Sequence, residues 1–552
     1  MNADIVILNG KLVTFDEEKP DAQAIAITGN KITAVGDNTT IRDMAGPQTK
    51  VIDAGGNTVL PGFIEGHVHV FQGSVELDRL NLHGVHGFDR LAQAVRRRAK
   101  ERPDEDVILA HAADYHILGP GMSATRQDLD RIIEDRAFAM MASDHHTAWA
   151  NTRALEMAGI LHEGEAPEGS EIIRDAKGVA TGMLVEPGAY GFVTALTTSG
   201  GRDAKGIVDG RSPDATPAQR TADMDVIAKG MEHCASHGIT TMHNMDGNLY
   251  TLELLQGLDD RGELLCRTES PLHLKNTDPL DRIDDALEWR KRFNSDRVWC
   301  NRVKMFMDGV IESYTALMLQ PYPDRPDTCG EELFSPEHFN AACIRADGHG
   351  FQIAVHAIGD RAVRQTLDGY EAAQKANGRR DSRHRVEHIE VIDPADLPRF
   401  KEIGVIASMQ PVHSPAAGFF GPPEDGHILR EDQLPYAFAW AKVRGAGALL
   451  TFSTDWPVVP VDVMPSIKGA VAPVDLGPGW GQNAQSLMDT LASYTRDSAF
   501  MEFNEDRKGR LKRGLLADIV VMDSDLFAMD PAELDHARAT TTICDGRVTY
   551  QR

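Results

Sequence analysis

The middle of the chain alternates short apolar segments with amphipathic stretches, and this alternation limits the possible folds more than any other feature. Repeated strand–helix alternation produces a parallel sheet, and eight repeats are typical of a (β/α)8 barrel of the α/β class. The eight strand candidates are 63–70, 239–245, 265–274, 303–309, 352–359, 384–390, 405–412 and 449–456. The sequence therefore predicts a barrel over residues 61–504.

Both ends of the chain predict β structure instead. Apolar runs flank turn-forming pairs there, which is the signal of a β-hairpin. The turn signals are Asn9-Gly10, Gly29-Asn30, Gly55-Gly56-Asn57 and Asp545-Gly546. Because chain termini often lie close together, residues 1–60 and 505–552 are expected to form one small β-sandwich. Two unrelated β appendages are the alternative.

One connection is much longer than a barrel requires. A single helix normally links neighbouring barrel strands, yet roughly 170 residues separate the first two strand candidates. We expect residues 75–220 to be an insertion after the first barrel strand, and it contains strand candidates of its own, DVILAHAADY and AFAMMASDHH.

Charge and cysteine content narrow the class of protein. The net charge of −26 disfavours nucleic acid or an anionic membrane as a partner, so a small-molecule substrate is expected. The 6 cysteines form no CxxC pair, which favours reduced thiols in a cytoplasmic protein. The N-terminal sequence MNADIVILNGKLVTF does not resemble a signal peptide, and no apolar run is long enough to cross a membrane.

Polar side chains occur in several of the predicted strands, mostly near their carboxyl ends, which meet at one face of a barrel. His67 and His69 are two residues apart, so both side chains point to the same side of a strand and suit a Zn²⁺ site. The alternatives are ordinary: two solvated strand residues, satisfied core histidines, or a helix cap at Asp455. The full set is His67, His69, Lys304, His356, His388 and Asp455.

Lys304 is unusual because Val303, Met305 and Phe306 surround it in a predicted central strand. Burial lowers the pKa of a lysine and so favours the neutral amine over the ammonium form. A neutral amine reacts with CO₂ to give a carbamate. A carbamate oxygen is able to bridge two metal ions. Pairing of Lys304 with Asp308 or Glu312 is an equally good interpretation.

The order of motifs along the chain resembles the amidohydrolase superfamily, and within it the YtcJ-like or amidohydrolase 3 branch that includes N-substituted formamide deformylase. The motifs are ILNGKLVT, LPGFIEGHVH, SDHHTAWANTRAL, VKMFMDG, AVHAIGD, RVEHIE, STDWPV and GRLKRGLLADIVVMD. The resemblance implies that His67, His69, His356, His388 and Asp455 bind one or two Zn²⁺ ions. It also implies that Lys304 is carboxylated and that the protein is a homodimer.

Two departures from the branch concern the substrate. His145 stands where the branch has glycine, before the pocket histidine His146, and AADY at 112–115 replaces a glycine-rich segment. The resemblance therefore leaves the substrate open. The candidate substrate-binding residues are His146, Glu186, His413 and Trp456.

The predicted chemistry is metal-dependent hydrolysis of a non-peptide C–N bond in an N-substituted formamide, an N-acyl amine or a cyclic amide. Hydroxide generated at the metal attacks the carbonyl, and Asp455 acts as general base and then general acid. A histidine, His356, His413 or His146, stabilises the oxyanion. Two alternatives stay open: the same site hydrolyses an ester or carbamate, or the protein is a catalytically inactive metal-binding regulator.

Overall fold

The computed structural model describes residues 2–143, 145–167, 170–419 and 428–552. The chain forms two compact units: unit 1 comprises residues 1–69 and 231–552, and unit 2 comprises residues 70–230. Asp144, part of the SDHHTAWANTRAL motif, lies outside the described residues. Among the residues described, no helix has the length and apolar character needed to cross a membrane.

The eight predicted strand segments of unit 1 all contain strands, and their ladders are parallel. They belong to two sheets. The four-stranded sheet has the order Val298–Trp299, Arg267–Glu269, Ile239–Asn244 and Phe63–Val68. The six-stranded sheet has the order Leu272–His273, Arg302–Phe306, Gln352–Ala357, Arg385–His388, Ile406–Met409 and Leu449–Phe452.

The prediction for 265–274 was wrong in one respect, because this segment forms two short strands in different sheets. Pro271 lies at the break, and proline has no N–H to donate to a ladder. At the opposite edges of the two sheets, one parallel bridge joins Val68 and Trp456. Among the described residues, the strands of the eight predicted segments thus form two sheets and not one continuous ring.

Helices follow most of these strands, and local signals explain where several of them begin and end. The Ser335 hydroxyl accepts a hydrogen bond from the His338 N–H, and Pro336 occupies the first turn of its helix. The helix predicted to end at Gly378 does so, with glycine at φ 87°. The main helices are Leu249–Asp260, Ile283–Arg292, Pro336–Gly348, Asp360–Asn377, Leu397–Ile403, Trp440–Gly445, Val463–Val471, Leu487–Ser493 and Arg496–Met501.

The two chain ends contribute to two further sheets of unit 1. The first has the order Lys31–Gly36, Ala24–Thr28, Ala3–Leu8 and Ala45–Asp53. The second has the order Lys11–Leu12, Thr58–Pro61, Ile519–Met522, Ala539–Cys544 and Arg547–Gln551, so it combines strands from both ends. One apolar cluster contains buried residues of both sheets, among them Ile7 and Ile519.

Unit 2 contains a six-stranded mixed sheet of its own. Its order is Glu171–Arg174, Ala180–Val185, Thr147–Ala150, Ala137–Ala142, Val107–Ala113 and Leu80–Asn81. The two strand candidates proposed for this region are the parallel pair Val107–Ala113 and Ala137–Ala142. The accompanying helices include Val70–Glu76, Phe88–Glu101, Arg126–Ile132, Thr152–Met157 and Pro187–Thr194, and helix Pro217–Ser236 contains the boundary at residue 230.

Candidate metal centre

Unit 1 brings His67, His69 and Asp455 together. His67 lies in strand Phe63–Val68, His69 follows that strand, and Asp455 follows strand Leu449–Phe452. Asp455 Oδ1 is 3.4 Å from His67 Nε2 and 3.2 Å from His69 Nε2. One donor atom from each of the three side chains lies within 4.8 Å of the other two, which is a spacing that suits a shared metal ion.

The other ring nitrogen of each histidine contacts an acceptor. His67 Nδ1 is 2.8 Å from a Glu387 carboxylate oxygen, and His69 Nδ1 is 2.6 Å from Asp246 Oδ1. A carboxylate at Nδ1 favours the tautomer whose Nε2 carries a lone pair, which is the form that binds metal. The orientation of both rings therefore fits a metal site beside Asp455.

His388 repeats this arrangement at the end of strand Arg385–His388. Its Nδ1 is 2.9 Å from Gln410 Oε1, and its buried Nε2 makes no hydrogen bond to any described residue. A buried histidine nitrogen without a partner is costly unless something binds it. The donor set of His67, His69, His388 and Asp455 thus fits zinc, which prefers imidazole and carboxylate ligands.

Lys304 is fully buried in strand Arg302–Phe306, as its apolar neighbours predict. Its Nζ makes no hydrogen bond to the residues described and lies 4.6 Å from the centre of the Phe306 ring. Burial lowers the pKa of Lys304 to about 8. Asp308 accepts backbone hydrogen bonds from Leu317 and Gly359 instead of pairing with this lysine.

His356 lies next to His388, with 4.4 Å between the ring centres, but its donor atom is directed elsewhere. Its Nε2 is 3.0 Å from the Gly309 carbonyl oxygen and 3.8 Å from Asp308 Oδ1. The structure therefore places His356 at the centre without placing its Nε2 against Asp455. Its predicted roles as a ligand and as a catalytic residue stay predictions.

Two of the predicted substrate-binding residues belong to unit 1. His413 stacks on His388 with 6.3 Å between ring centres, and its Nε2 is 3.2 Å from the Thr454 carbonyl oxygen. His388, His413 and Asp455 form a second group whose donor atoms lie within 4.8 Å of one another. Trp456 is buried, and its carbonyl oxygen accepts a hydrogen bond from the backbone N–H of His69 at 2.7 Å.

The other two belong to unit 2 and contact each other. His146 Nδ1 is 2.9 Å from Glu186 Oε1, and Glu186 has φ 66° at the start of helix Pro187–Thr194. His145, the departure from the family pattern, has φ 62°, and its Nδ1 is 2.9 Å from Gln72 Nε2. Substrate binding by His146 and Glu186 stays a prediction.

The charges of the centre favour an ionised Asp455 among the histidines that surround it. Burial alone would raise the pKa of Asp455, but His67, His69 and His388 outweigh it and hold that pKa well below its usual range. Burial likewise opposes a charge on His69, yet Asp246 and Asp455 raise its pKa, so a positive charge at this ring is favoured whether a proton or a metal cation at Nε2 supplies it. Asp455 is therefore ionised near neutral pH and available as a ligand or proton acceptor.

The family model that matches this chain is described as the Amidohydrolase family, and it covers residues 50–550. The chain belongs to the amidohydrolase family. The Bacillus subtilis (strain 168) protein called putative amidohydrolase YtcJ is 27% identical over 98% of this chain and 98% of its own length. N-substituted formamide deformylase of Arthrobacter pascens is 24% identical over 100% of this chain and 98% of its own.

A solved structure also matches the fold of this amidohydrolase. The crystal structure of an uncharacterized metal-dependent hydrolase from Pyrococcus furiosus is 25% identical, with a TM-score of 0.70 over 96% of this chain and 99% of that one. Because the match covers 96% of this chain, it includes residues of both units. Membership of the family places the protein among metal-dependent hydrolases of the amidohydrolase superfamily.

Sequence reasoning missed the residues that orient this amidohydrolase's histidines. Glu387, Asp246 and Gln410 were not predicted as part of the site, although each lies within a predicted strand segment or directly after one. Glu387 had the clearest signal, because a charged residue directly before His388 in a central strand requires a buried partner. That signal shows that a partner exists without showing that it is His67.

Proposed function

We propose that this amidohydrolase is a zinc-dependent hydrolase of non-peptide C–N bonds, acting on an N-substituted formamide, an N-acyl amine or a cyclic amide. The proposal depends chiefly on one observation: Asp455 Oδ1 lies 3.4 Å and 3.2 Å from the Nε2 atoms of His67 and His69. Their Nδ1 atoms already contact carboxylates, so the Nε2 atoms are oriented for a ligand.

His67, His69, His388 and Asp455 would hold the first ion, and His356 and Lys304 would complete a site for one or two ions. Zinc supplies a water molecule of lowered pKa and polarises the substrate carbonyl. Asp455 accepts the proton of the attacking water at its carboxylate and then donates it to the leaving nitrogen. For His356, buried beside His388, we propose that it stabilises negative charge on the substrate carbonyl oxygen once its Nε2 leaves the Gly309 carbonyl oxygen.

For Lys304 we propose a carbamate, formed when Nζ attacks CO₂ and loses a proton. Two features support this modification. The side chain is fully buried, and its Nζ has no hydrogen-bond partner among the residues described. A carbamate would provide oxygen ligands to the metal and remove the cost of an isolated buried ammonium group.

We propose that the two parallel sheets of unit 1 are two arcs of one (β/α)8 barrel over residues 61–504. An isolated bridge joins Val68, at the end of the outer strand Phe63–Val68, to Trp456, which follows the outer strand Leu449–Phe452, and it supports this proposal. The sheets shared by residues 1–60 and 505–552 would form the small sandwich. Residues 75–220 would be the insertion that carries the predicted substrate-binding residues His146 and Glu186.

The test combines metal analysis with a substrate screen. Exhaustive chelation is expected to abolish hydrolysis, and added Zn²⁺ is expected to restore it. The screen covers N-formyl amines, N-acyl amines, lactams, cyclic imides and aryl esters. The formamide deformylase relative makes N-formyl amines the first compounds to assay. Activity that persists after verified removal of metal would contradict the proposal, and hydrolysis restricted to esters would contradict the C–N assignment.

A further inference from the structure

We propose that Arg385 is a positioning residue for the metal centre: it fixes the Glu387 carboxylate and thereby sets the tautomer and orientation of His67. This inference rests on the proposed metal-dependent function and names a residue that the mechanism above does not use. The inference is based on a row of buried polar and charged side chains in which each member contacts the next. From the candidate ligand inward, the row consists of His67, Glu387, Arg385, His243, Glu502 and Lys508.

The first link of the row joins Glu387 to His67. The distance between Glu387 Oε2 and His67 Nδ1 is 2.8 Å, and both side chains are almost entirely buried. A carboxylate on the far nitrogen of a metal-binding histidine keeps the proton there and fixes the plane of the ring. The position of Glu387 therefore decides where the His67 Nε2 lone pair points.

The second link joins Arg385 to Glu387. The two residues are alternate positions of strand Arg385–His388, so their side chains lie on one face of the sheet. Arg385 Nη2 donates to Glu387 Oε2 at 2.9 Å, and Arg385 Nε lies 2.7 Å from Glu387 Oε1. Both carboxylate oxygens thus face one guanidinium group.

Arg385 also contacts the backbone of the ligand strand. Its Nη2 donates to the Gly66 carbonyl oxygen at 2.7 Å, directly before His67, and to Ser408 Oγ at 3.1 Å. The guanidinium therefore connects three strands that belong to both parallel sheets of unit 1: Phe63–Val68 in one sheet, and the neighbours Arg385–His388 and Ile406–Met409 in the other. A lysine offers a point charge on a flexible stem and cannot reproduce this set of contacts.

The row continues on the opposite side of Arg385. His243 Nδ1 lies 3.4 Å from Arg385 Nη1, and His243 Nε2 lies 2.7 Å from Glu502 Oε2. Lys508 Nζ lies 2.7 Å from the other Glu502 oxygen. Buried charges are tolerated when they are paired and hydrogen-bonded, and these partners hold Arg385 in one orientation.

The test measures metal binding in Arg385→Lys and Glu387→Gln. Zn²⁺ affinity is measured by competition with a chromophoric chelator, and the ligand geometry by the visible absorption of the Co²⁺-loaded protein. We expect each variant to bind Zn²⁺ about 10–100-fold more weakly, as is usual when a group that orients a ligand is removed. We also expect an altered Co²⁺ spectrum, because the His67 ring loses its fixed direction.

Arg267→Lys is the matched control. Arg267 is also a buried arginine in a parallel strand, but its carboxylate partners are Asp518 at 2.9 Å and Asp545 at 2.7 Å. Thermal unfolding of the metal-free proteins measures the loss of stability common to such changes. The control is expected to lose stability while keeping wild-type Zn²⁺ affinity and a wild-type Co²⁺ spectrum.

Arg385→Lys and Glu387→Gln proteins that bind Zn²⁺ as tightly as the Arg267→Lys control would overturn the inference. If Arg385→Lys does not fold, Glu387→Gln decides, and wild-type affinity and spectrum in that variant would overturn it equally. A wild-type protein that binds no zinc would overturn the proposed function and this inference together. The two failures are therefore distinguishable.

Discussion

Asp455 is the residue on which the proposed chemistry depends most. Asp455→Asn keeps the shape of the side chain but removes the proton acceptor, and the histidines around it remain. We expect turnover to fall by about 10²-fold or more, the usual contribution of a general base, while zinc content is largely retained. Steady-state kinetics and metal analysis of the same preparation measure both quantities.

The exposed Asp506 provides a control for this substitution. Asp506→Asn removes a carboxylate from the surface, and we expect wild-type turnover from it. Near-wild-type turnover in Asp455→Asn would reject the proton-transfer role, even if its metal content were unchanged.

At the scale of residues, the sequence predicts which side chains of a strand are buried, but not which residues of other strands they contact. The burial of Lys304 was predictable from Val303 and Met305, its neighbours along one strand. The contact between His69 and Asp246 joins residues 177 positions apart. Such a pairing depends on which strands are adjacent, and hydrophobic periodicity carries no information about that choice.

At the scale of elements, Asp308 ties two loops to the end of strand Arg302–Phe306. Its Oδ2 accepts the backbone N–H groups of Leu317 and Gly359, and its Oδ1 accepts that of Ile358. In Asp308→Asn, the new NH₂ group faces a backbone donor in either orientation. Burial raises the pKa of Asp308 to about 7, so the comparison belongs at pH 8, where the wild-type carboxylate is ionised.

We expect Asp308→Asn to reduce the free energy of unfolding by about 1–3 kcal/mol, the cost of one buried donor without a partner. Urea denaturation at pH 8 measures it, with Asp506→Asn as the surface control. Equal stability in the two variants would show that the loops do not depend on this carboxylate.

Asp347 makes the contact between helix Pro336–Gly348 and the segment that follows helix Asp360–Asn377 sensitive to acid. It lies in helix Pro336–Gly348 and contacts Arg380 Nε at 2.7 Å and His384 Nε2 at 3.2 Å. Burial opposes the charge, but His384, Asn377 and Arg380 outweigh it and lower the pKa of Asp347 to about 2. Because the folded-state pKa lies below the ordinary value, the stabilisation is complete above pH 4 and is lost as the pH falls toward 2.

Asp347→Asn is therefore expected to reduce the stability of the protein at pH 6 by more than at pH 3. Urea denaturation of both proteins at the two pH values measures the change. A difference in unfolding free energy that is equal at pH 6 and pH 3 would contradict the assigned pKa.

The turn signals show where element prediction succeeds. Hairpins predicted at Gly29-Asn30 and Asp545-Gly546 are confirmed, because the strands on either side of each pair are antiparallel neighbours. The hairpin predicted at Asn9-Gly10 is wrong, since strands Ala3–Leu8 and Lys11–Leu12 belong to different sheets. The same holds at Gly55-Gly56-Asn57. A tight turn fixes a change of direction, while tertiary packing decides whether the chain stays in its sheet.

At the scale of the whole molecule, strand–helix alternation was sufficient to predict parallel ladders and their order along the chain. It did not predict the break at Pro271 or the additional strand Val298–Trp299. The structure changes units after residues 69 and 230, and the insertion at 75–220 stays a prediction. Periodicity describes single elements, and these features depend on how elements assemble. The homodimer stays a prediction.

The division into two units leads to a prediction about metal binding. All six candidate ligands belong to unit 1, which comprises residues 1–69 and 231–552. A ligand that binds only the folded state suppresses local opening most strongly where it contacts the protein. Adding Zn²⁺ to metal-free protein should therefore slow amide hydrogen exchange chiefly in peptides that contain His67, His388 and Asp455.

Strands Val107–Ala113 and Ala137–Ala142 of unit 2 provide the internal reference for that experiment, and Mg²⁺ provides the control ion because it prefers oxygen ligands to imidazole. We expect the unit 2 strands to change much less than the ligand strands on Zn²⁺ addition, and neither set to respond to Mg²⁺. Slowing of equal size in both units would mean that Zn²⁺ stabilises the fold without a site at these histidines. An equal response to Mg²⁺ would contradict the imidazole-rich ligand set.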